Sequence, residues 1–365
     1  PRLALLTTFT AAALAAGAGQ VLRSTDAPSH PSPQHYVCLR AARPPVIDGR
    51  LEDEAWAGAP WTRAFVDIEG SAKPAPRLRT RAKMAWDDDY FYVAAELEEP
   101  HVWATLTERD SVIFQDHDFE VFIDPDGDTH EYYELEINAL GTEWDLFLVR
   151  PYRDGGPALH GWDIAGLKSA VFVDGSLNDP SDRDRGWSVE VAMPWAALAE
   201  AAPGRRGPKP GEHWRVNFSR VEWDMDVVGP RYAKRTNAAT GRPLPEHNWV
   251  WSEQGAIDMH RPERWGLVQF SDAVTGSTPV RFVAPPDEDI RWALRRVYDA
   301  ERAHFRTHRE YAPTVATLDL AADGWVAPAG FALEVTASRF EARASAREAG
   351  ATWRIREDGK LWMTR

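Results

Sequence analysis

Glu120, Glu134, Glu136 and Asn138 fall at alternate positions of two short apolar segments. Residues two apart in a strand share a face. Asp118–Asp124 therefore turns Phe119, Val121 and Ile123 one way and Glu120, Phe122 and Asp124 the other. After the polar turn at 125–130, Tyr132–Asn138 repeats the pattern, with Tyr133, Leu135 and Ile137 opposed to Glu134, Glu136 and Asn138. A hairpin of these segments gathers three carboxylates on one sheet face, where they repel and lose solvation unless something compensates them. Function is expected on that face. Glycoside hydrolysis requires two carboxyls roughly 5 to 9.5 Å apart, and Glu120 with Glu134 or Glu136 is a candidate pair, although no residue marks one as acid and the other as base.

The turn itself carries Asp124, Asp126 and Asp128, three carboxylates at alternate positions, with Glu131 close behind. A hard cation such as calcium takes oxygen ligands of this kind, and the turn is expected to bind one in a structural role. An acidic hairpin turn without metal is the other reading, because Gly127 precedes the third Asp and the helices of an EF-hand are missing. No Gly-x-Ser-x-Gly, His-Glu-x-x-His, phosphate-loop or Cys-x-x-Cys-His motif occurs.

These residues need a scaffold of many short strands. A third strand follows at 143–149, and further strand candidates lie at 81–86, 90–97, 170–173, 186–193, 213–223 and 264–270, separated by Gly, Pro, Asn and Asp turns. The pattern predicts a mainly β protein, an antiparallel β-sandwich. After 282–286 the composition changes. One helical stretch, 289–305, precedes three short strand candidates, which predicts a small C-terminal α+β domain. The expected division is a signal peptide at 1–18, a linker at 19–35, the sandwich at 36–283 and the α+β domain at 284–365. The first segment has a positive start, an apolar middle and a small-residue end, so export to the periplasm or the cell exterior is expected, with no membrane span after cleavage. Cys38 is the sole cysteine and leaves no intrachain disulfide. With 17 Trp, 14 Phe and 9 Tyr the chain is rich in rings, and its net charge of -14 argues against nucleic acid and anionic membranes as main partners. Neutral or cationic ligands remain open.

Residues 47–56 (Ile-Asp-Gly-Arg-Leu-Glu-Asp-Glu-Ala-Trp), 84–93 (Met-Ala-Trp-Asp-Asp-Asp-Tyr-Phe-Tyr-Val), Asp118–Asp124 and 186–195 (Gly-Trp-Ser-Val-Glu-Val-Ala-Met-Pro-Trp), in this order, resemble family 9 carbohydrate-binding modules of the DOMON-like β-sandwich class. The resemblance covers about residues 36–271. It implies a non-catalytic module of a secreted polysaccharide-degrading system that holds an oligo- or polysaccharide end between two aromatic rings, with bound calcium. Phe114 stands where the family carries a stacking Trp, and Glu120 takes the place of the strand Glu that binds sugar hydroxyls. Glu136 falls at or near a position where the family carries a basic residue, and Met259-His260 near its second stacking Trp.

A sugar site needs aromatic faces for the ring and polar groups for the hydroxyls. Phe114, Trp223, Trp249 and Trp251 are the stacking candidates, and Asp116, His117, Glu120, Glu136, Asn138, Arg220 and His260 the polar ones. Some DOMON-like domains hold haem instead, for which Met225, Met259 and His260 would be the candidate ligands.

Overall fold

The computed structural model describes residues 33–365. The expected signal segment at 1–18 and most of the linker lie outside the described residues. In chain order the first elements are β1 (His35–Arg40), α1 (Glu54–Gly58), β2 (Val66–Asp67), β3 (Thr80–Trp86), β4 (Tyr90–Glu98), β5 (Asp118–Asp124), β6 (Tyr132–Asn138), β7 (Glu143–Leu148) and β8 (Ala158–Leu159). They continue with β9 (Lys168–Asp174), β10 (Gly186–Pro194), α2 (Trp195–Leu198), β11 (His213–Glu222), β12 (Met225–Val228), β13 (Arg231–Lys234), β14 (His247–Val250) and β15 (Gly266–Val274). The C-terminal part has the helix α3 (Glu288–His308) and four strands, β16 (Ala332–Val335), β17 (Phe340–Ser345), β18 (Thr352–Arg356) and β19 (Leu361–Thr364).

The main sheet runs β8-β7-β6-β5-β11-β15-β1-β3-β4-β10-β9, with β14 added beside β11 and β2 beside β14. Its two wings face each other. Inward residues of β5, β6, β11 and β15, among them Phe119, Leu135, Phe218 and Phe270, pack against Met84, Val93, Val189 and Val191 of β3, β4 and β10. This is the expected β-sandwich. Its pairing departs from the expectation at one strand, because β1 runs parallel to both β15 and β3 and joins the two wings.

Alternation sets the register of the hairpin. Phe119 lies opposite Ile137 and Val121 opposite Leu135 on the core side, which forces Glu120 opposite Glu136 on the other face. Trp144 follows on β7, opposite Glu136. That outer face has a smaller apolar cluster of its own, made by Phe122, Tyr132, Trp144, Leu146, Leu148 and Trp265.

The helix α3 and the strands β16–β19 share a separate core around Leu294, Val297, Phe340 and Ile355. This small sheet and helix belong with the sandwich to one unit, 33–365. Polar contacts join them: Arg215 pairs with Glu288, Thr129 donates to the Gly359 carbonyl, and Arg302 and Tyr298 both bind Asp154. Among the described residues no helix is long and apolar enough to cross a membrane.

Candidate functional site

A groove of about 320 Å³ lies over the outer face of β5, β6 and β7. Glu120, Glu134, Glu136, Leu146 and Val221 supply strand positions of its lining, while Phe114, Trp144, Tyr152, Glu246 and the stretch Ile257 to His260 come from strand ends and loops. Five of the lining residues are acidic, and none is Lys or Arg. A larger cleft of about 600 Å³ lies against β4 and β10, where Arg79 pairs with Glu96 and Glu98, and Arg185 with Asp174.

The carboxylates of the groove have few partners. Glu136 Oε2 accepts the Phe114 N–H at 2.9 Å, and Asp118, next to Glu120 on the same face, accepts the Val221 N–H at 3.1 Å. No ion pair joins Asp118, Glu120, Glu134 or Glu136 to a cation among the described residues, and each is at most 6% exposed. Burial pushes the Glu120 carboxyl up to about 7, against the pull of the Ser219 hydroxyl and with the Glu246 charge adding to the rise. Burial, and then the charge of Glu120, raise Asp118, Glu134 and Glu136 well above the usual carboxylate range.

His260 closes one side. Its Nδ1 lies 3.0 Å from the Tyr132 hydroxyl, and the half-exposed Tyr152 ring meets it edge-on at 4.5 Å between centroids. Burial, helped by Arg153, pushes this imidazole down to about 4 and keeps it neutral.

Of the residues expected at the site, Phe114, Glu120, Glu136 and His260 line the groove together. Asp116 and Asn138 are not part of the lining and serve as braces. Asp116 accepts the Thr105 and Leu106 N–H groups, and Asn138 holds the 139–142 turn through the Leu140 and Thr142 N–H groups. Trp223 is 6% exposed, donates Nε1 to the Phe114 carbonyl and carries the Lys234 ammonium 3.3 Å over its ring, so it positions Phe114 and has no open face for a ligand on that side. Arg220 and His117 are buried in an ion network instead. Arg220 binds Glu99 at 2.6 Å and Glu222 at 2.8 Å, and the His117 ring lies within 3.9 Å of both acids. Trp251, offered as a stacking ring, is 2% exposed and packs in the core against Phe218 and Tyr36, while Trp249 is 3% exposed. Stacking by these two is therefore corrected to core packing. Met259 borders the groove beside His260, whereas Met225 on β12 is not part of its lining.

Trp144, Tyr152, Glu246 and Asp258 are lining residues that were not foreseen. Trp144 had a signal, because it sits two before Leu146 on a strand whose partner across the sheet is Glu136. Tyr152 and Glu246 come from irregular segments and carried none.

The acidic turn brings Asp124, Asp126 and Asp128 to within 4.8 Å of one another through one oxygen each. Asp124 takes the Gly127 and Thr129 N–H groups, Asp126 takes that of Asp128, and Asp128 takes that of His130. Lys360 Nζ lies 2.8 Å from Asp128 Oδ2, and Arg291 binds the Gly127 carbonyl. The C-terminal segment thus places one lysine on one of the three carboxylates where calcium was expected, and the three oxygens still lie close enough together to hold an ion.

The description "Carbohydrate family 9 binding domain-like" matches residues 47–242, more than half of the chain. The chain belongs to this family. Among curated relatives, exoglucanase XynX of Acetivibrio thermocellus is 29% identical over 157 residues, 42% of this chain and 12% of its own length. Endo-1,4-beta-xylanase A of Thermoanaerobacterium saccharolyticum is 27% identical over 154 residues, 42% of this chain and 11% of its own length. The chain thus spans about an eighth or less of these relatives. Among solved structures, a family 9 carbohydrate-binding module from Caldicellulosiruptor kristjanssonii in complex with cellotriose has a TM-score of 0.41 and 17% identity, covering 69% of this chain and all of the other.

Proposed function

We propose that this family 9 protein binds a carbohydrate chain in the groove over β5–β7 and does not cleave it, as part of an exported polysaccharide-degrading system. The observation that carries this reading is the lining itself. Aromatic rings of Phe114, Trp144 and Tyr152 border a groove that also presents the unpaired carboxylates of Glu120 and Glu134. Rings give apolar contact to the C–H face of a sugar, and buried acceptors gain most from hydroxyl donors. The names of the curated relatives, an exoglucanase and an endo-1,4-beta-xylanase, support glucans and β-1,4-xylans as the ligand class.

Binding is favoured over hydrolysis by the family, which is described as a carbohydrate-binding domain. The test is calorimetric titration of the full chain with xylo- and cello-oligosaccharides, while reducing-end release is followed over hours. Saturable heat without release, lost in Glu120→Ala, supports the reading. Release would make the carboxylates catalytic, and silence with every sugar would remove the groove as a carbohydrate site.

A further inference from the structure

Asp118, Glu120 and Glu136 each offer one carboxylate oxygen, and these oxygens lie within 4.8 Å of one another. Calcium–oxygen bonds run about 2.3–2.6 Å, so two ligand oxygens of one ion stand at most about 5 Å apart. The spacing fits. Three all-carboxylate clusters among the described residues meet this distance condition, and their surroundings separate them: Arg109 pairs with Asp110, Asp145 and Asp163. At the 124–128 turn, backbone N–H groups donate to Asp124 and Lys360 pairs with Asp128. On the sheet face no lysine or arginine among the described residues pairs with them, and Glu120 and Glu136 stand directly opposite each other across the ladder. Like charges so placed destabilise a sheet.

A second observation points to a missing partner. Asp118 is 0% exposed, its Oδ1 is taken by the Val221 N–H, and its Oδ2 has no hydrogen-bond partner. Glu134, outside the triad but facing the same groove, is 6% exposed, and its carboxylate has no ion pair or hydrogen bond to another side chain or backbone group among the described residues. A buried carboxylate oxygen left without any partner carries the full desolvation cost of its charge. Oxygen donors alone, with no imidazole or thiolate among them, select a hard cation.

We propose that Asp118, Glu120 and Glu136 seat a divalent cation, of the size and hardness of calcium, at the floor of the groove. Because Glu120 and Glu136 also line the groove, the ion borders the bound ligand. In the part of the inference that rests on the carbohydrate reading, two vicinal sugar hydroxyls complete its coordination. The unpaired charge then becomes the means by which a neutral sugar is held.

The experiment uses the full chain, freed of metal with a chelator and titrated with calcium chloride by calorimetry and thermal denaturation. Wild type is expected to bind one ion saturably at this site and to melt higher with calcium. Asp126→Asn, at the turn, should bind as wild type does. Glu120→Gln should lose at least tenfold in affinity; it is nearly isosteric and removes a repulsion, so its metal-free melting temperature should equal or exceed that of wild type. No heat and no thermal shift in wild type with calcium or magnesium would overturn the proposal. So would binding that survives in Glu120→Gln and disappears in Asp126→Asn. Oligosaccharide titrations with and without calcium separate the two readings. Sugar binding indifferent to calcium overturns the bridging role and leaves the carbohydrate groove standing, whereas calcium binding with no sugar response upholds the cation seat and removes the carbohydrate reading.

Discussion

Replacing His260 with Gln probes how tightly the groove wall is closed. The ring is held between Tyr152, Tyr132 and Phe122, and burial with the nearby Arg153 charge puts its pKa at about 4. In the unfolded chain the same imidazole titrates near 6.5. The native state therefore keeps it neutral where the unfolded state takes a proton. Its contribution to stability is present above pH 6.5 and is lost as pH falls from there towards 4. The gap between the two values corresponds to about 3 kcal/mol when fully expressed, less some screening at the edge of the ring that reaches the groove. Urea denaturation of wild type and His260→Gln at pH 7.5 and pH 4.5 measures it. The raised groove carboxylates gain stability over part of this range, but they are common to both proteins and drop out of the comparison. Wild type should lose about 2 to 3 kcal/mol more than the variant between the two pH values. Equal losses would show that His260 is solvated and that the wall stands open.

Tyr152→Ala removes a half-exposed ring from the groove and should weaken oligosaccharide binding at least tenfold in titration while changing urea stability by less than about 1 kcal/mol. Trp251→Ala should do the reverse, costing about 3 to 5 kcal/mol in denaturation with affinity intact in the protein that remains folded; weaker binding by folded Trp251→Ala would return that ring to the site. Glu288→Ala leaves Arg215, 4% exposed, without its carboxylate and should cost about 3 to 5 kcal/mol by the same assay. Gly266→Ala would bring a Cβ to within 2.4 Å of the Trp251 ring and should lower stability by about 1 to 3 kcal/mol, and an unchanged midpoint would mean that the ring can move aside.

The hairpin was legible because Phe119, Val121 and Ile123 alternate with Asp118, Glu120 and Asp124, a strand period that held although every residue of β5 is buried in the fold. From that register the facing of Glu134 and Glu136 follows with no knowledge of the rest of the chain. The tryptophans were not legible in this way. Trp223 follows β11 directly, Trp249 lies in β14 and Trp251 directly follows it, yet each is buried by a different partner: Lys234, His247 and Phe218. An indole suits a core and a sugar platform equally, so the choice lies in contacts that local pattern does not contain. Arg220 and Glu99 stand 121 positions apart, and Asp116 meets Thr105 across a loop, so both residues read as free polar groups until the chain is folded. The parallel placement of β1 is hidden for the same reason, since an apolar strand does not carry its direction in its composition.

The C-terminal helix has a part in the site that neither its sequence nor its own core suggests. Tyr298 and Arg302 of α3 both hold Asp154, and Arg302 also binds the Arg153 carbonyl. Arg153 in turn reaches Glu263 at 2.8 Å. These contacts grip the short turn Tyr152–Asp154, whose first residue is the exposed ring of the groove and the edge partner of His260. An exposed aromatic on an irregular segment loses conformational entropy when a ligand orders it. Tying that segment to a helix with three hydrogen bonds, two of them to the buried Asp154 carboxylate, removes part of that cost before the ligand arrives. If the groove binds the proposed sugar, the α+β segment contributes without lining it, through the hold of Tyr298 and Arg302 on the turn that carries Tyr152.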